Sequence, residues 1–281
     1  MKKSIAYFLL FLVACAVGIG FGLNQKKEVT ITIVQTSDTH SCIEPDAKTG
    51  MGGYIRRATL IDSLRKHVDK DLLLFDCGDY SQGSLYYTLF QGETEIRLMN
   101  AMGYDAAAIG NHKFDFGEEN MQRLFSLASF PTLCVNYDVK GTCLEECVKP
   151  YTILTRKGVR IGVLGVAPPL EGLVFKKNYV GITYLDPITT ANETARKLRE
   201  EEHCDLVVCL SHLGWQVADE DIDDERFIAG TRNIDIVLGG HSHSVFLEPA
   251  VYNNADGKPV TLMHNGKNAL YVGFWQIKVR K

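Results

Sequence analysis

The chain has 281 residues, 46% hydrophobic and 23% charged, with a formal net charge of −4. That length and balance suit a globular protein with one large α/β core. Lys and Arg are scattered, so no basic stripe exists to track a phosphate backbone, and polymeric nucleic acid is not an expected partner.

In chain order, Lys2 and Lys3 precede an apolar run from Ile5 to Leu23, and a polar linker, Asn24 to Glu28, follows it. Residues 1–28 therefore read as an export or anchor segment rather than as part of the fold. Leu12-Val13-Ala14-Cys15 resembles the bacterial lipobox, in which the Cys is acylated and becomes the mature first residue. The run also approaches the roughly 20 apolar residues needed to span a bilayer, so an uncleaved anchor is the alternative, and cleavage to a soluble protein is a third. All three place the rest of the chain outside the cytoplasm, in a periplasm or at a cell surface, held to the membrane in the first two.

Residues 29–281 are expected to form the folded part. Val29 to Gln35 alternates β-branched and polar residues as a strand does, and it leads into Asp38-Thr39-His40. Tyr54 to Val68 puts Ile55, Ala58, Ile61, Leu64 and Val68 on one helical face. Strand Leu72 to Phe75 ends in Asp76-Cys77-Gly78-Asp79, and Glu93 to Met102 is a second amphipathic helix. The apolar run at Ala106 stops at Gly110 and hands over to Asn111, His112 and Asp115. Further on, Glu118 to Leu127 reads as a helix, Pro131 to Asn136 as a strand, and Tyr151 to Val166 as a hairpin turning at Lys157-Gly158. Thr189 to Glu202 is a charged helix, Leu206 to Leu210 a buried strand and Asp223 to Ala229 a short helix. Ile234 to Leu238, Val260 to His264 and Leu270 to Val279 close the chain as strands. Alternating strands and helices imply a layered α/β fold, and the hairpin implies mixed sheets.

Five strand-like runs end in His, Asp or Asn: "VQTSDTH", "LLLFDCGD", "AAAIGNHKFDF", "LVVCLSHLG" and "DIVLGGHSH". Strand-end loops on one edge of an α/β sandwich are where such folds build sites, so these ends can converge despite their separation in sequence. A donor set of Asp, His and Asn without Cys suits Mn, Zn, Fe or Co. His67, His203 and His264 lack such company and read as structural. Seven cysteines follow Cys15, of which Cys77 and Cys209 read as buried hydrophobes. Cys134, Cys143 and Cys147 could form a bridge or a zinc site short of a fourth ligand, and the expectation is one disulfide or none.

Those motifs resemble, in order and spacing, the N-terminal metallophosphoesterase (calcineurin-like) domain of the bacterial and eukaryotic surface 5'-nucleotidases. The resemblance runs from about Val29 to the C-terminus. It implies a four-layer αββα sandwich of two mixed sheets and a site with two divalent metal ions. Asp38, His40, Asp79 and His243 would hold one ion, and Asp79, Asn111, His212 and His241 the other, with Asp79 bridging. A metal-activated hydroxide would attack phosphorus, His112 would assist and Asp115 would orient it. Asp76 reads as a supporting carboxylate. Lys113 departs from the family, which has Glu there.

The implied substrate is a small-molecule phosphomonoester, a nucleotide in particular. A cyclic-nucleotide phosphodiesterase or a thiosulfohydrolase could use the same site. A noncatalytic subunit keeping the motifs as a relic is a reading of another class, and the complete ligand set argues against it. Members of the family carry a further domain that stacks on the nucleobase, and the resemblance here covers only the first. Either the chain is a phosphatase of broad taste that contacts mainly the phosphate through its metals, or a separate chain supplies that domain; a strong preference of the chain alone for AMP would instead assign the base to a local loop, Gln82 to Tyr87 or Pro168 to Tyr179. If Cys15 is the lipid attachment point, Cys15→Ser is expected to abolish acylation and processing. Mass spectrometry of the mature protein checks this, and an unchanged mass would favour the uncleaved anchor.

Overall fold

The computed structural model describes residues 28–217 and 222–280. Cys15 and the expected anchor up to Lys27 lie outside the described residues. Among the described residues, no helix is long and apolar enough to cross a membrane.

The strands in chain order are β1 (Glu28–Thr36), β2 (Leu73–Asp76), β3 (Ala106–Ala108), β4 (Thr132–Leu133), β5 (Tyr137–Asp138), β6 (Val148–Lys149) and β7 (Tyr151–Arg156). They continue as β8 (Val159–Val166), β9 (Thr183–Tyr184), β10 (Leu206–Ser211), β11 (Ile236–Gly239), β12 (Ala250–Asn253), β13 (Pro259–His264) and β14 (Gly273–Arg280). One six-stranded sheet has the order β14-β1-β2-β3-β4-β6, and a second has β12-β13-β11-β10-β8-β7. Within the first, β14 runs antiparallel to β1 and the rest are parallel. Within the second, β12 and β7 are the antiparallel edges of an otherwise parallel sheet. Both sheets are therefore mixed.

Side-chain alternation along the strands separates three cores. Ile31, Ile33, Leu73 and Phe75 of the first sheet face Ile161, Val163, Val208 and Leu238 of the second. Val34 and Leu74 point the other way, onto Tyr54, Ile61, Ile96, Met99, Met121 and Leu124 of the helices Tyr54–His67, Glu93–Met102 and Gly117–Leu127. Val207, Cys209 and Val237 likewise meet Ala191, Leu198 and Phe227 of the helices Pro187–Glu200 and Asp224–Gly230. Helix, sheet, sheet and helix make the four layers of the expected sandwich. Because the central parallel strands are covered on both faces, they read in the sequence as continuous apolar runs.

Local chemistry fixes several boundaries. Lys157 and Gly158 both have positive φ, 51° and 80°, the two-residue turn whose twist matches a hairpin. Asp186 caps the helix that follows it by accepting from Thr189 N at 2.7 Å, with Pro187 in the first turn, so this helix starts two residues before the expected Thr189. The expected strand Pro131 to Asn136 shrinks to two residues. The last strand begins at Gly273 rather than Leu270, because Asn268 and Ala269 turn with positive φ. The helix Leu85–Phe90 and the strand Ala250–Asn253 are additions to the elements expected from sequence. Cys42, Cys77, Cys134, Cys143, Cys147, Cys204 and Cys209 are all free.

Candidate metal centre

Each expected site residue follows the C-terminal end of a parallel strand. Asp38 and His40 come after β1, Asp79 after β2, Asn111 and His112 after β3, His212 after β10, and His241 and His243 after β11. The two sheets present those ends to the same edge, which is where open α/β sheets form their crevice. The first two loops run side by side: Asp38 N donates to Gly78 O at 2.9 Å and His40 N to Asp79 O at 3.0 Å. Gly110 permits the third to approach, since a Cβ there would lie 2.0 Å from Asp79 Oδ1.

Two groups of donors result. Asp38, His40 and His243 each offer an atom within 4.8 Å of the others, and so do Asp79, His212 and His241. Asp38 Oδ1 links them, at 3.6 Å from His243 Nε2, 3.9 Å from His40 Nε2 and 4.0 Å from His212 Nε2. The Nε2 atoms of His40 and His243 lie 3.0 Å apart, close enough for one cation to reach both in place of the proton they share. His212 Nε2 is 3.0 Å from Asp79 Oδ2, an ion pair when the ring is protonated. Asn111 Oδ1 is buried without a partner. Buried polar atoms are ordinarily satisfied. An orphan oxygen facing a nitrogen-and-oxygen cluster fits a divalent cation, and the absence of thiolates from either group leaves Mn, Zn, Fe and Co as the suited ions.

The supporting contacts set the rings' tautomers. His212 Nδ1 donates to Cys77 O at 2.6 Å, and His40 Nδ1 faces Gln82 Oε1 at 3.1 Å, so each keeps Nε2 for a cation. Lys267 Nζ lies 3.1 Å from His243 Nδ1. An ammonium can only donate, so that contact requires the ring proton on Nε2, and a cation bound at Nε2 would send Lys267 elsewhere. Neither Gln82 nor Lys267 stands among the residues expected from sequence. Gln82 lies three residues past the second motif, at the start of the loop considered for the base, whereas nothing local marks Lys267.

Electrostatics follow from burial. Burial pushes the Asp38 carboxyl up, with His212 opposing. Burial would also raise Asp79, but His212, His112 and His40 outweigh it and hold this carboxyl well below the usual range. His241 is pushed down to about 3 by burial and then by His212, and His243 to about 4 by burial and then by Lys267. Both are therefore neutral ligands at physiological pH. Burial would lower His212 as well, yet Asp79 and Asp38 hold it up, and a cation entering there would displace its proton.

Asp38, His40, Asp79, His241 and His243 all adopt positive φ, between 46° and 68°. Asp and His tolerate that region better than most, at about 1–3 kcal/mol each. Backbone strain on this scale persists where surrounding structure over-determines it, and here it falls on five of the expected ligands.

His112 lies beside the two groups. Its backbone N donates to Asp79 Oδ1 at 3.0 Å, its ring Nδ1 meets Asp115 Oδ2 at 3.3 Å, and its ring centroid is 5.5 Å from that of His40. The Asp115 contact raises its pKa, against burial. Asp76 sits beneath the site, accepting from Thr36 Oγ1 at 2.7 Å and from Gly78 N at 2.9 Å. Lys113 is also beneath it rather than at the mouth: Nζ donates to Ser81 Oγ at 2.6 Å and lies 3.3 Å from the Tyr80 ring centroid. His264 bonds to Asp224 at 2.8 Å, and Asp224 in turn accepts from Ser211, outside both groups.

A model of the calcineurin-like phosphoesterase family matches residues 31–245, well over half of the sequence. The chain belongs to that family. This phosphoesterase-family chain is 27% identical over 274 residues to the 5'-nucleotidase of Bos taurus, an alignment covering 88% of this chain and 46% of that protein. The crystal structure of a 5'-nucleotidase precursor from Thermus thermophilus superposes with a TM-score of 0.78 at 26% identity, over 90% of this chain and 54% of that one. That of the calcineurin-like phosphoesterase YfkN from Bacillus subtilis gives 0.77 at 27% identity, over 91% and 86%. The chain spans about half the length of the curated 5'-nucleotidases it matches.

Asp79→Asn removes the charge that lies against both groups. At least one of two bound metals and nearly all turnover are expected to be lost, which elemental analysis and an assay would check. Two retained metals with normal rates would remove Asp79 from the centre of the site.

Proposed function

We propose that the chain is an exported, metal-dependent phosphoesterase acting on phosphomonoesters, nucleotides in particular. The observation that carries this reading is the pair of His and carboxylate groups meeting at Asp38 Oδ1, with buried, partnerless Asn111 Oδ1 beside them. Two divalent cations, held by Asp38, His40, Asp79 and His243 and by Asp79, Asn111, His212 and His241, would activate a water for attack on phosphorus and neutralise charge on the phosphoryl oxygens.

The chain's own residues do the rest. Asp115 holds His112 through Nδ1, leaving Nε2 to give a proton to the leaving oxygen or to stabilise charge there. The Asp115 contact, which raises the pKa of His112, favours retention of the ring proton. Its partial exposure, 32% of the side chain, lets it meet a substrate from solvent. Because His112 N donates to Asp79, the proton donor is set rigidly against the ligand loop.

Nucleotide preference is motivated by relatives named 5'-nucleotidase. Export and tethering are motivated by the N-terminal apolar run and Cys15. A separate chain supplying a substrate-binding domain would be one source of selectivity, distinct from hydrolysis itself.

A panel of nucleoside monophosphates, cyclic nucleotides and sugar phosphates, with Mn, Co, Zn and Mg supplied separately, tests the activity. On the preferred substrate, His112→Ala is expected to leave metal content unchanged and lower kcat about 10²- to 10⁴-fold. The loss should shrink for p-nitrophenyl phosphate, whose leaving group needs less protonation. Equal losses on good and poor leaving groups would leave charge stabilisation as its role, and an unchanged kcat would exclude His112 from the chemistry.

A further inference from the structure

Resting on that phosphomonoesterase reading, we propose that the chain itself carries a subsite for a flat, aromatic leaving group such as a nucleobase, with Phe116 as its platform. An open cleft of about 550 Å³ is lined by Gln82, Leu85, Tyr87, Thr88, Asp115 and Phe116 among others. It is continuous with the metal centre through two of these side chains. Gln82 bonds His40 on one side, and Asp115 bonds His112 on the other. An ester oxygen leaving beside His112 carries its organic group toward whatever lies next to the His112–Asp115 pair, and that is this cleft.

Its character differs from that of the metal centre. The ligand groups present charged and ring-nitrogen atoms, whereas the cleft adds Leu85, 77% exposed, and Phe116, 39% exposed. Two large apolar side chains left open at the edge of a polar site would gain by being covered. The Phe116 ring does not stand alone. It packs on the buried Tyr87 ring at 5.1 Å between centroids, and Tyr87 OH donates to His112 O at 3.1 Å. The platform is thus fixed to the backbone of the expected proton donor. Its only polar neighbours in the cleft other than Asp115 are short or neutral side chains, so recognition would rest on stacking and tolerate different bases.

Two measurements on the full chain and on Phe116→Ala and Phe116→Tyr test this. The first is the ratio of kcat/KM for AMP to that for glycerol 2-phosphate. It is expected to favour AMP in the native chain, to fall about 5- to 150-fold in Phe116→Ala, mainly through KM, and to return in Phe116→Tyr. The second is calorimetric titration with adenosine, which needs no turnover: binding should weaken in Phe116→Ala and be kept in Phe116→Tyr. Hydrolysis of both substrates with ratio and adenosine binding unchanged in Phe116→Ala would overturn the subsite. If no phosphoester is hydrolysed while adenosine binding still depends on Phe116, the subsite stands and the hydrolase reading fails.

Discussion

A carboxylate almost wholly removed from water, Asp79, is the constraint on which the edge of the sandwich depends. It is 2% exposed, and an isolated charge so placed would cost several kcal/mol. His212, His112 and His40 hold it charged against that burial. Those rings come from loops in both sheets, so the charge can be satisfied only when the sheets are stacked in register. The same carboxylate also accepts from the backbone of His112 and sits against the Gly110 backbone, leaving no room for a side chain at Gly110.

Compensation by rings rather than by Arg or Lys has a chemical consequence. An imidazole gives up its proton to a metal near neutral pH, whereas a guanidinium does not. Burial already keeps His241 and His243 neutral, and carbonyl or amide acceptors hold the Nδ1 protons of His212 and His40, leaving Nε2 inward. The positive φ at five ligands supplies the sharp turns that bring short side chains back over the strand ends. Strain, burial and the tautomers of His212 and His40 therefore suit the cavity to cations, with His112 attached to its wall.

Much of this was legible in the sequence because parallel strands buried on both faces leave long apolar runs, and each run here stops at Gly, Asp, Asn or His. The hairpin at Lys157-Gly158 and the helices at Tyr54 and Glu93 were legible for the same local reasons. What escaped was tertiary. The helix Leu85–Phe90 has too few polar residues to show an amphipathic period, and its cap, Ser84 accepting from Tyr87 N, lies just past a motif read for its ligands. The Lys113 departure could be seen, but not that its ammonium runs inward to Ser81 and the Tyr80 ring. Lys267 meets His243 beside the turn at Asn268 and Ala269, a stretch for which no element was expected. Pairing of His40 with His243 spans most of the chain, and a residue list gives no hint that their nitrogens point at one spot.

The central claim is that the strand ends form a two-cation centre. Anomalous diffraction from crystals of the chain grown with Mn would test it most directly. Two peaks are predicted, one against Asp38, His40 and His243 and the other against Asp79, His212 and His241, with Asn111 Oδ1 no longer without a partner. A single peak, or peaks only at surface carboxylates, would contradict it.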